Sequence, residues 1–168
     1  GYPLDRTDFR GGEVLAEEEI DETPYRFFPN SSNPDPNLIN YANVFNFSEL
    51  EAYQASAVRT LMQQAEQSKP AIIHSASNFV VGLAGAEAAK RLGIPSIYEI
   101  RGFWHLTQAT KRLGYESSDH YLLSERLEFE TARNSDHVFT ITNALRDILL
   151  ENGIEPEKVS VLPNAVDP

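Results

Sequence analysis

Residues 71–100 read AIIHSASNFVVGLAGAEAAKRLGIPSIYEI, and this stretch decides the fold. Ala71-Ile72-Ile73-His74 is a short apolar run of strand length. Asn78 to Leu92 has helical length, and Gly93 stands where a helix needs a left-handed stop. Its small residues, Gly82, Ala84, Gly85, Ala86, Ala88 and Ala89, let it approach a sheet closely. Pro95 then leads into Ser96-Ile97-Tyr98-Glu99-Ile100, a second strand. Two strands joined by a helix must pair in parallel, with a right-handed crossover.

The pattern continues downstream. Arg101 to Ser118 reads as a loop, and Asp119 as the cap of a helix to Arg133. His137-Val138-Phe139-Thr140-Ile141 is a strand, Asn143 caps a helix ending at Gly153, and Val159-Ser160-Val161-Leu162 is a strand ended by Pro163. Upstream, Ser48 and Glu51 form a capping box for a helix over 49–67 with Leu50, Tyr53, Ala57, Leu61 and Ala65 on its apolar stripe. Glu13 to Ile20 and Tyr25 to Phe28 read as a hairpin around a polar turn, and Pro29 to Asn40 as loop. The class is α/β, a Rossmann-like parallel sheet with flanking helices.

The chain has 168 residues and a net charge of −11, most of the excess acid lying before residue 69. That balance argues against a nucleic-acid partner, which would need cations to displace phosphate counterions, and against general adhesion to anionic membranes. There is no cysteine, which removes disulfides, thiol catalysis and cysteine-held metals. His74, His105, His120 and His137 lack metal-ligand spacing, so no metal is expected. Neither a dinucleotide fingerprint nor a P-loop is present, and no cofactor is expected.

Ligands of such sheets bind at the C-terminal strand ends. His74, Ser75, Ser77 and Asn78 there could hold an oxyanion or sugar hydroxyls, or simply cap the helix. Glu99 and Arg101 are unusual at a strand end. Arg101 suits a phosphate or carboxylate, or pairs with Glu99. Trp104 stacks on a sugar ring or fills core. Lys111 and Arg112 read as a solvated loop, and Glu125, Glu128 and Glu130 as a solvated helix face.

The tail carries a family likeness. Asp136 before a strand ending in Thr142, Leu145-Arg146, Gly153-Ile154 and Pro163-Asn164-Ala165-Val166-Asp167 resemble the end of the N-terminal domain of family-4 (group 1) GT-B glycosyltransferases. Ile73-His74-Ser75, Gly93-Ile94-Pro95 and Tyr98-Glu99-Ile100-Arg101-Gly102-Phe103 resemble further family motifs in the same order. Ala165 replaces the usual glycine, and Arg101 stands where many members carry histidine.

The resemblance implies the acceptor-binding half of a retaining glycosyltransferase. Its partners would be a nucleotide-sugar donor and a sugar, lipid-linked or small-molecule hydroxyl acceptor. Arg101, Glu99, His74, Ser75 and Trp104 would bind acceptor, and Asn164 would lie at the donor-proximal hinge. Residues 1–168 would be a single domain: hairpin and loop over 1–46, β/α units over 47–162, and the start of a hinge over 163–168. The family's first strand and glycine-rich loop would be missing, leaving Gly1-Tyr2-Pro3 as a remnant. The chain would then be inactive alone, cytoplasmic, open to self-association, and able to touch a membrane peripherally. The alternatives are half of a GT-B-like nucleotide-sugar epimerase and a flavodoxin-like binding module.

Overall fold

The computed structural model describes residues 17–26 and 47–165. The chain forms two compact units, residues 1–60 and 61–168. In the first, strands β1 (Glu17–Ile20) and β2 (Thr23–Arg26) pair antiparallel, Glu17 opposite Arg26. The two-residue turn between them has φ of 49° at Asp21 and 62° at Glu22. Positive φ at both positions is the backbone twist that lets two strands close tightly. The expected hairpin is therefore present over 17–26, while residues 13–16 and 27–40 lie outside the described residues. Helix α1 (Phe47–Ser68) runs across the boundary between the units. It begins before the expected capping box, so Ser48 falls inside the helix.

The second unit carries four strands: β3 (Ile73–Ser77), β4 (Ser96–Ile100), β5 (His137–Thr140) and β6 (Val159–Val161). They pair in parallel in the order β3-β4-β5-β6. β3 starts later and runs further than the apolar run suggested. Ser75, Ala76 and Ser77 are poor strand formers, but each has a register partner on β4, in Tyr98, Glu99 and Ile100. Ladder pairing overrides their propensity.

The crossovers are α2 (Phe79–Leu92), then α3 (Trp104–Ala109) with α4 (Asp119–Asn134), then α5 (Asn143–Glu151). The long loop expected over 101–118 thus holds a helix of six residues and a 3-10 turn over Tyr115–Ser117. The expected caps shift by one residue. Ser118, not Asp119, accepts the Tyr121 N–H, and Thr142, not Asn143, accepts the Leu145 N–H. In both pairs the earlier residue keeps an extended backbone and so holds the cap position. Gly93 ends α2 in the left-handed conformation at φ 68°, as expected, and the next amide, Ile94, bonds back to Ala89.

One core joins β4, β5, β6, α4 and α5. Tyr98, Ile100, Phe103, Phe129, Ala132, Val138, Leu149, Ile154 and Val159 pack together there. Glycines bring α2 down onto it. A Cβ at Gly82 would stand 2.4 Å from Thr131 Cγ2 and 2.8 Å from the Tyr98 ring. A Cβ at Gly85 would stand 1.9 Å from Ser75 Oγ. At the opposite end of the sheet, Asp136 clasps the start of β4. Its Oδ2 accepts from the Ser96 N–H at 2.8 Å and the Ser96 hydroxyl at 2.9 Å. Those bonds hold its carboxyl below the usual carboxylate range.

Candidate functional site

Strand alternation divides the C-terminal end of β4 between two faces. Tyr98 points into the core, and Glu99 points the other way. On the Glu99 face the register places His74 beside Ile97, and Phe139 beside Glu99. Glu99 Oε2 lies 3.0 Å from His74 Nε2, and Glu99 Oε1 accepts from Arg101 Nε at 2.7 Å. The carboxylate is 13% exposed, against 42% for His74 and 60% for Arg101. One half-buried acid thus meets two more exposed side chains, His74 and Arg101. His74 also meets the Phe139 ring edge-on at 6.3 Å, and Phe139 meets His137 at 5.1 Å.

Among the described residues Glu99 is the partner recorded for Arg101, through Nε. Its side chain is 60% exposed, and a guanidinium fork is suited to a carboxylate or phosphate. Gly102 follows, with open space where a Cβ would be. Trp104 opens α3 and is 39% exposed, so it is not core.

Of the sequence-derived site residues, His74, Glu99 and Arg101 come together. Ser75 does not join them. It is buried on the opposite face, against Gly85 of α2. Asn164 is exposed beyond β6. His105 is buried among Phe103, Tyr121 and Phe129, and desolvation lowers its pKa to about 4. It is therefore neutral, and its 3.9 Å approach to Glu125 is a near contact, not an ion pair.

Two amides at the turn from β3 into α2 are bonded within the protein. Ser77 has φ 115°, a conformation costing about 1–3 kcal/mol for a residue with a side chain. It delivers Asn78 to the cap, where Oδ1 accepts from the Val80 N–H at 3.1 Å. The Phe79 N–H is taken by Glu128 Oε2 at 3.2 Å. The oxyanion role considered for residues 74–78 thus meets amides already engaged by the protein's own acid and amide.

Glu128 is what the sequence reading missed. Expected on a solvated face, it is 1% exposed. Its other oxygen accepts from the Tyr98 hydroxyl. Burial pushes its pKa up to about 7, against the pull of the Tyr98 and Phe79 bonds. A signal was present: Ser124, Glu128, Thr131 and Ser135 recur at helical spacing and are all buried. Small polar residues on that line mark a packed face, and Glu128 lies on it.

The sequence matches the Glycosyltransferase Family 4 domain over residues 11–168. The chain belongs to glycosyltransferase family 4. No curated protein matches it. Solved structures resemble this family-4 chain in fold. The UDP-N-acetylglucosamine 2-epimerase of Rickettsia bellii superposes with a TM-score of 0.52 at 17% identity, over 83% of this chain and 30% of that one. The UDP-GlcNAc 2-epimerase of Methanocaldococcus jannaschii, solved with UDP-GlcNAc and UDP, gives 0.50 at 20% identity, over 67% and 28%. The family-4 chain spans less than a third of the length of these structures. Among its described residues no helix is long and apolar enough to cross a membrane.

Proposed function

We propose that this chain is the acceptor-side, Rossmann-like domain of a retaining transferase that moves a sugar from a nucleotide-sugar donor to a hydroxyl acceptor. The observation that carries the reading is the His74–Glu99–Arg101 trio, on one face of a family-4 sheet, with Glu99 and Arg101 at the end of β4 and His74 early in β3. Arg101 offers a bidentate cation to an anionic part of the ligand, and Trp104 an exposed ring for a sugar face. Glu99 holds both His74 and Arg101 in place, so less ordering is left for the ligand to impose. Asn164 is assigned to the donor side.

In the reaction the bond from the sugar's anomeric carbon to the diphosphate breaks, and a bond to the acceptor oxygen forms. The nucleoside diphosphate leaves with the electron pair and takes up the proton that the acceptor hydroxyl gives up. Stabilising the departing diphosphate calls for several aligned donors. The 168 residues span under a third of solved structures of this fold, so this reading gives them the acceptor side alone.

The test is an NMR assay of the protein from its complete reading frame, with a panel of nucleotide sugars and hydroxyl acceptors. Acceptor-dependent release of nucleoside diphosphate, with the glycoside keeping the donor's anomeric configuration, is the expected result. Accumulation of an epimerised nucleotide sugar without any acceptor would overturn it in favour of an epimerase. Sugar transfer by the 168 residues alone would overturn the acceptor-side assignment.

A further inference from the structure

We propose that Glu128, on the face of the sheet opposite the trio, is the positioning residue of the candidate site. Its carboxylate ties the end of β4 to the first turn of α2, and so fixes where Glu99 and Arg101 stand. The geometry is that of a lever. Tyr98 and Glu99 are consecutive, with side chains on opposite faces, so a strand that shifts or turns at Tyr98 carries Glu99 with it. Arg101 follows two residues later and is bonded to Glu99.

The second arm of the lever is α2. Its first turn contains no acid of its own. Glu128 reaches across from α4 to supply one, on the Phe79 N–H. Gly82 lets the Tyr98 ring come close to α2, which completes the contact of the three elements. A buried carboxylate is a poor way to stabilise a core, because well-packed apolar residues often do as well or better. Its two bonds, one to each arm, are a use that an apolar residue would not serve.

Titratable groups lie on the elements packed against it. β4 brings Tyr98, the charged residues of α2 (Glu87, Lys90 and Arg91) lie in its second half, and His105 of α3 is neutral against the neighbouring Phe129. On the far face His74 lies against Glu99, so the experiment must separate the two.

The first arm of the test needs no activity. Amide resonances of Phe79, Glu99 and Arg101 are followed against pH in the wild type, His74→Ala and Glu128→Gln. The expected result is one inflection shared by all three amides, kept in His74→Ala and lost in Glu128→Gln. An inflection confined to Phe79 would overturn the proposal and leave Glu128 a helix cap. Loss of the Glu99 and Arg101 inflections in His74→Ala would also overturn it. The second arm rests on the transferase reading. In the complete protein, Glu128→Leu should raise the acceptor KM about tenfold with the donor KM unchanged, and Glu128→Gln should recover most of it. Tyr98→Phe, which removes one arm and keeps the acid, should fall between them if Glu128→Leu does not fold. Equal losses in acceptor and donor KM would overturn the positioning role. Absence of acceptor-dependent turnover would sink the transferase reading and leave the resonance result to decide the lever.

Discussion

Tyr98 and Glu99 are neighbours in sequence and belong to two different chemistries. On the Tyr98 face the strand end meets Glu128, sealed at 1% exposure and bonded on both oxygens. On the Glu99 face the carboxylate keeps 13% of its surface open and shares it with two solvent-facing partners. Both acids have two partners in the protein. The difference is what else can reach them. No ligand reaches Glu128, so it acts through the two elements it ties together, while the partners of Glu99 remain open to a ligand. Two glutamates thus differ in what can reach them because the sheet has a packed face and a more open one.

The largest expected effect sharpens the packed face. Glu128 keeps its proton up to about pH 7 when folded, against 4.5 for an ordinary glutamate. Its folded pKa is raised, so its stabilising contribution is full below 4.5 and is lost as pH rises through 7. His105 runs the other way. Its folded pKa is depressed from 6.5 to about 4, so stability is present above 6.5 and lost as pH falls through 4. Between 4.5 and 6.5 the two slopes oppose one another, each roughly 1.4 kcal/mol per pH unit at most. Wild-type stability should therefore be nearly flat across that window. Glu128→Gln should leave the His105 slope exposed and gain about 2–3 kcal/mol from pH 4.5 to 6.5. His105→Phe should lose a similar amount over the same range. Urea melts at four pH values check this, and parallel curves for all three proteins would remove the buried-acid account.

The next effect down tests how tightly α2 is seated. Gly82→Ala gains about 1 kcal/mol of helix propensity but drives a methyl into Thr131 and Tyr98, each fully buried. A net loss of about 1–2 kcal/mol is expected, or a Tm lower by several degrees. Gly85→Ala meets chiefly the Ser75 hydroxyl, a side-chain end that can rotate away or be removed. Gly85→Ala with Ser75→Ala should melt close to wild type, whereas Gly82→Ala with Thr131→Ser should not, because the Tyr98 ring remains. Equal behaviour of the two pairs would mean that α2 is less closely seated than its glycines indicate.

The sheet was legible in the sequence because β4, β5 and β6 are short apolar runs bounded by helix stops, and helix-linked strands must run parallel. β3 was misplaced because the apolar run ends where hydrogen-bond pairing continues. α3 escaped because six residues are too few to show a helical period, and it is held by His105 and Phe103 packing against Phe129. The caps slipped by one residue at Ser118-Asp119 and Thr142-Asn143, since all four types cap well and only the backbone angles choose between them. Of the site, Glu99 and Arg101 were visible as polar residues at a strand end, whereas His74, expected at the end of its strand, stands second in β3 and meets Glu99 across the sheet face. Ser75 turned to the other face by strand alternation once β3 ran further. Glu128 was hidden by its own charge: a glutamate on a helix reads as solvated until Ser124, Thr131 and Ser135 are seen on the same line.

The smallest expected effect on stability comes from the open face, and it separates the faces most cleanly. Arg101 is 60% exposed and bonds Glu99 across the surface. Arg101→Ala should change folding stability by less than about 0.5 kcal/mol, because an exposed ion pair contributes little once screening and side-chain entropy are counted. Glu99 keeps His74 as a partner, so no buried acid is stranded. The same substitution in the complete protein should lower kcat/KM about tenfold, or 1.4 kcal/mol of transition-state stabilisation. Arg101→Lys keeps the charge but loses the planar fork, so it should recover only part of that loss. A Tm that drops sharply in Arg101→Ala while the folded protein turns over normally would place Arg101 with Glu128, on the side of the fold. An unchanged Tm with the tenfold loss would leave the two faces as distinct in function as they are in burial.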